Sequence, residues 1–197
     1  MAAFETLSLR AFRNYASLDL HEIPGGMIAL TGPNGSGKTN LLEALSLFVP
    51  GRGLRGSETG EIQNTHSPDQ AWQIAANWES FSGAVRLSTY REPGAEKRKV
   101  RINGAEQSQS ALGEWLTLLW LTPAMDTLFR DAPGTRRRFF DRMTASFDPA
   151  HTGRLTRYDN AMRQRNKILQ EAAEKGRNPD PAWLTAIEIQ MAETGTA

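Results

Sequence analysis

Gly32-Pro33-Asn34-Gly35-Ser36-Gly37-Lys38-Thr39 fits the pattern G-x-x-x-x-G-K-[ST], the P-loop. Glycines at these positions allow a tight loop whose backbone N–H groups turn inward. A helix starting at the loop would aim the positive end of its dipole at the same point. The residue types therefore predict a phosphate cradle. Gly32, Pro33, Asn34, Gly35, Ser36 and Gly37 form the loop, Lys38 reaches the β- and γ-phosphates, and the Thr39 hydroxyl ligates Mg²⁺. The competing reading is a glycine turn that matches by chance. The flanks favour the cradle. Met27-Ile28-Ala29-Leu30 is a short apolar run, predicted as a strand buried on both faces. Leu41, Leu42, Leu45 and Phe48 sit at helical spacing, which predicts a helix from Thr39 to Phe48 that Pro50-Gly51 stops.

Upstream of the loop, Thr6–Leu9 and Leu18–Ile23 alternate in polarity and predict strands. Downstream, residues 51–69 are rich in Gly, Ser, Asn and Pro and predict a loop region. Strands are predicted again at Trp72–Ile74, Val85–Tyr90 and Val100–Ile102, the last followed by the turn signal Asn103-Gly104. Beyond about residue 108 the pattern becomes mainly helical. Asp148-Pro149 and Asp180-Pro181 each read as an N-cap followed by proline at the first helical position. An amphipathic helix is expected over 150–172, with a last helix after the breaker Gly176–Pro179.

The chain has 197 residues, 23 Lys+Arg against 22 Asp+Glu, and 39% hydrophobic residues, which argues for a folded protein rather than a disordered one. Absence of cysteine excludes a disulfide framework, a thiolate zinc site and a cysteine nucleophile. His21, His66 and His151 have no ligand spacing, so the only metal expected is nucleotide-bound Mg²⁺. No apolar run approaches the roughly 18 residues of a membrane span, and the N-terminus lacks a signal-peptide pattern, so no membrane association and a cytoplasmic location are expected.

Charge is unevenly placed. Residues 130–170 carry 10 basic and 4 acidic residues, and arginine outnumbers lysine 18 to 5 over the chain. Arg136, Arg137 and Arg138, on a predicted helix after Pro133-Gly134, are candidate DNA phosphate contacts; a solvated helix face pairing with Asp141 is the alternative. Arg52 and Arg55 could touch DNA or a partner subunit, or simply belong to a solvated loop. The tryptophans, Trp72, Trp78, Trp115, Trp120 and Trp183, lie mostly among apolar neighbours and read as core rather than as base-stacking platforms. Hydrolysis by a P-loop protein also needs an apolar strand ending in Asp to hold the metal through water. None is visible, nor is a Ser-Gly-Gly segment that would complete a partner's site.

Leu9-Arg10-Ala11-Phe12-Arg13-Asn14-Tyr15, the stretch Leu30 to Ala44, Pro50-Gly51-Arg52-Gly53-Leu54-Arg55, Val100–Gly104, Leu121-Thr122-Pro123, Arg136–Arg142 and Gln164-Arg165-Asn166 resemble the RecF family of ABC/SMC-like ATPases. The resemblance spans essentially the whole chain. It implies an α/β fold, with the N-terminal part of an ABC-type ATPase lobe at 1–120 and an incomplete, mainly helical lobe at 121–197. It implies ATP as cofactor, ATP-dependent homodimerisation, binding of single-stranded or gapped DNA, and work with RecO and RecR in replication, recombinational repair, recombinase loading and the SOS response. It places Arg13 and Asn14 near the nucleotide. In the family, the signature segment and Walker B Asp follow the second lobe. The sequence stops inside that lobe, so a C-terminal truncation is expected, and this chain alone is expected to hydrolyse ATP negligibly. The alternatives are another P-loop ATPase, such as a transporter-type ATPase or a kinase, and a non-catalytic nucleotide-binding fragment. Stimulation by DNA separates the first of these from the RecF-like reading.

Overall fold

Alternation of apolar and polar residues turns the N-terminus into a long strand, β1 (Ala3–Phe12), with Leu7 and Leu9 on its buried face. It returns as β2 (Tyr15–Leu20). Then come helix α1 (Lys38–Ser46), β3 (Trp72–Ser80), β4 (Gly83–Arg91), β5 (Lys99–Ile102) and β6 (Ala105–Gln107). The computed structural model describes residues 3–80, 83–148 and 150–195. The six strands form one antiparallel sheet in the order β2-β1-β3-β4-β5-β6. Asn103-Gly104 makes the β5–β6 turn with both residues at positive φ, the conformation that this dipeptide favours in hairpins. The Asn103 side chain accepts from the Arg86 N–H at 2.9 Å, fixing the turn on β4.

One face of the sheet carries Leu7, Leu9, Ile74, Leu87 and Val100, and α1 joins the same cluster through Leu41 and Ala44, followed by Leu47 and Phe48 just past its end. Burial of this stripe holds the helix that the loop 32–39 feeds. Four tryptophans agree with the core reading, being buried (Trp72) or half-buried (Trp78, Trp115, Trp120); Trp183 is exposed.

The expectation for Met27–Leu30 is corrected. The segment joins no ladder, and Met27 is 101% exposed, Ile28 49% and Leu30 39%. A strand buried on both faces needs neighbours on both edges. Among the described residues no strand pairs with this one.

The chain divides into two compact units, Met1–Met125 and Asp126–Ala197. The second is helical, with α2 (Pro133–Phe147), α3 (Ala150–Glu174) and α4 (Pro181–Gly195). Asp180 accepts from the Ala182 N–H at 2.9 Å, the cap that Asp180-Pro181 predicts. Asp148 accepts from the Ala150 N–H at 3.0 Å in the same way, while Pro149 lies outside the described residues.

Asp148 also pairs with Arg154, and that hydrogen bond first of all holds its carboxyl below the ordinary 3.8. A carboxylate with a depressed folded pKa adds stability that is present above its unfolded value and lost as pH falls through the folded one. The α2–α3 junction should therefore weaken from about pH 4 downward. Asp148→Asn should flatten the acid limb of helix content followed by circular dichroism. An unchanged limb in that variant would show that the pair does not stabilise the junction.

Candidate nucleotide-binding loop

Residues 32–36 are exposed and lead into the buried Gly37; Gly32, Gly35 and Gly37 have φ of 146°, 83° and 100°. Gly37 is the N-cap of α1, and among the described residues no side chain caps it. The first-turn N–H groups of a helix have no intrahelical carbonyl to bond. They are left facing the loop, as an anion would require. Lys38 folds back over the loop and donates from Nζ to the carbonyls of Gly32 (2.8 Å) and Pro33 (2.7 Å). Thr39 is exposed on the first turn, accessible to a nucleotide-bound cation. Donor N–H groups, an ammonium and a hydroxyl around a glycine loop fit a Mg²⁺-bound phosphate chain; they do not fit an apolar ligand.

Arg13 and Asn14 lie in the β1–β2 turn, and of the two Asn14 reaches this loop. Ala11 and Arg13 hold φ of 47° and 51°, unusual for residues with side chains. The conformation is over-determined by the 59–66 loop. The Arg13 N–H donates to Ile62 O (2.8 Å), the Asn64 N–H donates to Ala11 O (2.9 Å), and the buried Asn64 amide donates to Arg13 O (2.7 Å). Asn14 lands against Gly37, where an added Cβ would lie 2.7 Å from both Asn14 Nδ2 and Tyr15 Oη. Asn14 Oδ1 accepts from Asn40 Nδ2 at 2.7 Å.

Arg13 itself turns to a buried carboxylate on α1. Its Nε and Nη2 grip Glu43 Oε2 and Oε1 at 2.9 and 2.6 Å, and Glu43 is fully buried. Arg55 donates from Nη1 to Glu43 Oε2 (2.9 Å) and to Asn40 Oδ1 (2.8 Å). Ser57 donates to Glu43 Oε1 at 3.3 Å. Arg52 instead pairs with Glu58 at 2.6 Å in an exposed bridge. The two loop arginines, indistinguishable in sequence, thus have different surroundings. Sequence reading gave no site role to Glu43, Asn40, Tyr15 or Ser57. Glu43 lies across the predicted helix from Leu41, Leu45 and Phe48, so its burial left no signal in the spacing.

The basic stretch lies in the second unit. Arg136 is half-buried and donates to Asp131 O (2.6 Å) and Phe129 O (3.3 Å), bracing the start of α2. Arg137 and Arg138 are exposed, and neither forms an ion pair among the described residues. Burial, and then the neighbouring Arg138 charge, push the Arg142 guanidinium below its ordinary value. The expected local pairing with Asp141 is taken by His151, at 3.1 Å. No described residues gather a metal-ligand cluster, and no described helix is long and apolar enough to cross a membrane.

A sheet-backed helix fed by a glycine loop with Lys and Thr at its first turn defines a P-loop ATPase domain. The chain belongs to the AAA domain family, whose model matches residues 6–178. It is similar to the DNA replication and repair protein RecF of Caulobacter vibrioides, 44% identical over 98% of this chain and 51% of that protein. It is also similar to that of Rhizobium etli, 47% identical over 97% of this chain and 50% of that protein. The resemblance to RecF proteins read from the sequence is thereby shown. The chain spans about half the length of these curated relatives. The solved structure of the recombination mediator protein RecF-ATP in the RecFOR pathway superposes with a TM-score of 0.85 at 23% identity, covering 98% of this chain and 51% of that one. It bears out the α/β fold.

Proposed function

We propose that this chain is the ATP-binding part of a RecF-like DNA replication and repair protein. The observation that carries the reading is the glycine loop running into an uncapped α1, with Lys38 folded over it and Asn14 seated on Gly37. In this reading the loop N–H groups bind the phosphates of ATP. Lys38 exchanges its loop carbonyls for phosphate oxygens, and Thr39 holds Mg²⁺. ATP with Mg²⁺ supplies the charge and reach that a dimeric partner could recognise. Arg13 and Asn14 shape the cradle from the β1–β2 turn. No described residue is placed to act as a base on water, so hydrolysis is assigned to none of them. The first unit serves as the N-terminal part of an ABC-type ATPase lobe, the second as its helical lobe.

Relatives named DNA replication and repair protein RecF support the wider role. That role comprises ATP-dependent homodimerisation on single-stranded or gapped DNA in the cytoplasm, alongside RecO and RecR, in support of recombinase loading and the SOS response. Arg137 and Arg138 are the DNA contacts this reading favours. Arg136, Arg52 and Arg55 already have protein partners and contribute more weakly.

Titration of the full-length protein with a fluorescent ATP analogue and Mg²⁺, with and without gapped DNA, tests the proposal. Saturable Mg²⁺-dependent binding that gapped DNA strengthens is expected. Replacing Arg137 and Arg138 by Ala should weaken DNA binding at every sequence. It should also lower the slope of log affinity against log salt by about 2, one released counterion for each phosphate contact. Nucleotide binding indifferent to DNA would favour a different P-loop ATPase.

A further inference from the structure

We propose that Glu43, which faces away from the phosphate loop, is a positioning residue of the nucleotide site that acts through Arg55, Asn40 and Asn14. The inference rests on the nucleotide reading of the loop. A carboxylate that is fully buried on a helix is costly to keep unless every lone pair is met. Here it is met. Arg13 forks onto both oxygens, Arg55 takes one and Ser57 the other. These partners come from two segments that flank α1 on either side in sequence, the β1–β2 turn and the loop after α1. Glu43 binds both.

The arrangement continues toward the loop without a break. Arg55 Nη1 is shared between Glu43 Oε2 and Asn40 Oδ1. Asn40 is thereby oriented with its Nδ2 toward Asn14 Oδ1, at 2.7 Å. The Asn14 carboxamide in turn packs on Gly37, the glycine whose φ of 100° sets the last peptide of the loop. Each amide has one orientation because its neighbour donates or accepts in one sense only. Glu43 thus fixes a relay that ends on the phosphate-facing backbone. Preorganised donors hold their value only when such supporting contacts lock them. Neutralising Glu43 releases both guanidinium groups and lets the relay move, while Gly32–Thr39 stay chemically unchanged.

The test uses the full-length protein and a fluorescent ATP analogue with Mg²⁺. Glu43→Gln keeps the shape of the side chain and should weaken analogue binding about tenfold, the effect of losing one charge-assisted contact. Glu43→Asp should recover part of the loss. Asn40→Ala, at a partly exposed position that threatens the fold little, should reproduce it by cutting the relay in the middle. Asn14→Ala added to Glu43→Gln should cost nothing further, because both act through one path; independent structural effects would multiply. Thr89→Val, a destabilising change at the Arg98 contact by the C-terminal end of α1, should lower the melting temperature and leave affinity alone. Lys38→Ala is the control on the underlying reading. If Lys38→Ala still binds the analogue, the nucleotide assignment fails. If Lys38→Ala loses binding but Glu43→Gln and Asn40→Ala bind like the native protein, or the Asn14 and Glu43 losses multiply, the positioning role fails and the nucleotide site stands.

Discussion

Arg98→Leu should destabilise the first unit by about 4 kcal/mol, a large share of the 5–15 kcal/mol that holds a typical domain together. Arg98 stands immediately before β5 and is 5% exposed, and among the described residues it forms no ion pair. Its counter-charge is a set of carbonyls. Nη1 donates to Leu47 O (2.7 Å) and Thr89 Oγ1 (2.8 Å), and Nη2 donates to Val49 O (2.8 Å) and Gly51 O (3.1 Å). Leu47 is the C-cap of α1, so the guanidinium sits at the negative end of the helix that begins at the phosphate loop. Burial pushes its pKa down to about 10, which leaves it charged at neutral pH. Leucine would remove four hydrogen bonds and take this donor from the carbonyls of the buried Leu47 and Val49. Arg98→Lys keeps the charge but not the planar fork that reaches both sides, and should cost about half as much. Urea unfolding followed by tryptophan fluorescence measures both. A midpoint for Arg98→Leu within error of the native protein would show that the buried guanidinium does not hold the helix end.

The contrast between Arg98 and the phosphate loop shows what sequence could and could not disclose. The loop is legible because its chemistry is local: eight consecutive residues make both the turn and the ligand groups. The β5–β6 turn and the Asp180 cap are legible for the same reason. Glu43, Arg98 and Asn64 are not. Glu43 meets Arg13 across 30 positions, Arg98 meets Leu47 across 51, and Asn64 meets Arg13 across 51. Nothing in the spacing of a single sequence records such pairs. Arg52 and Arg55 make the point most sharply. Three residues apart in one glycine-rich loop, one pairs with Glu58 in solvent and the other enters the Glu43 network. Met27–Leu30 fails in the opposite direction. Its apolar run fits a buried strand, but burial belongs to the neighbours, and none of the described strands supplies them.

Gly37→Ala and Lys38→Ala should each weaken nucleotide binding by about ten- to a hundredfold, and a stability measurement should tell the two apart. Lys38 donates only to the exposed carbonyls of Gly32 and Pro33, contacts that water replaces easily. Removing the side chain should change stability by less than about 0.5 kcal/mol. Binding falls because the ammonium no longer meets phosphate oxygens, and a charge-assisted contact to an anion is worth about 1.5–3 kcal/mol. Gly37→Ala keeps every charged group and fails for a different reason. At φ of 100° an alanine is strained by roughly 1–3 kcal/mol. Its Cβ would also fall 2.7 Å from Asn14 Nδ2 and from Tyr15 Oη. Relief requires the β1–β2 turn to lift off α1 or the loop to flip, and either change redirects the N–H groups that face the phosphates. This variant should therefore lose binding and also melt several degrees lower. Thermal unfolding alongside fluorescent-nucleotide titration separates the cases. Native affinity in Gly37→Ala would mean that the loop's glycine conformation is not what holds the phosphates. A lower melting temperature in Lys38→Ala equal to that of Gly37→Ala would mean that the lysine is a structural brace rather than a ligand.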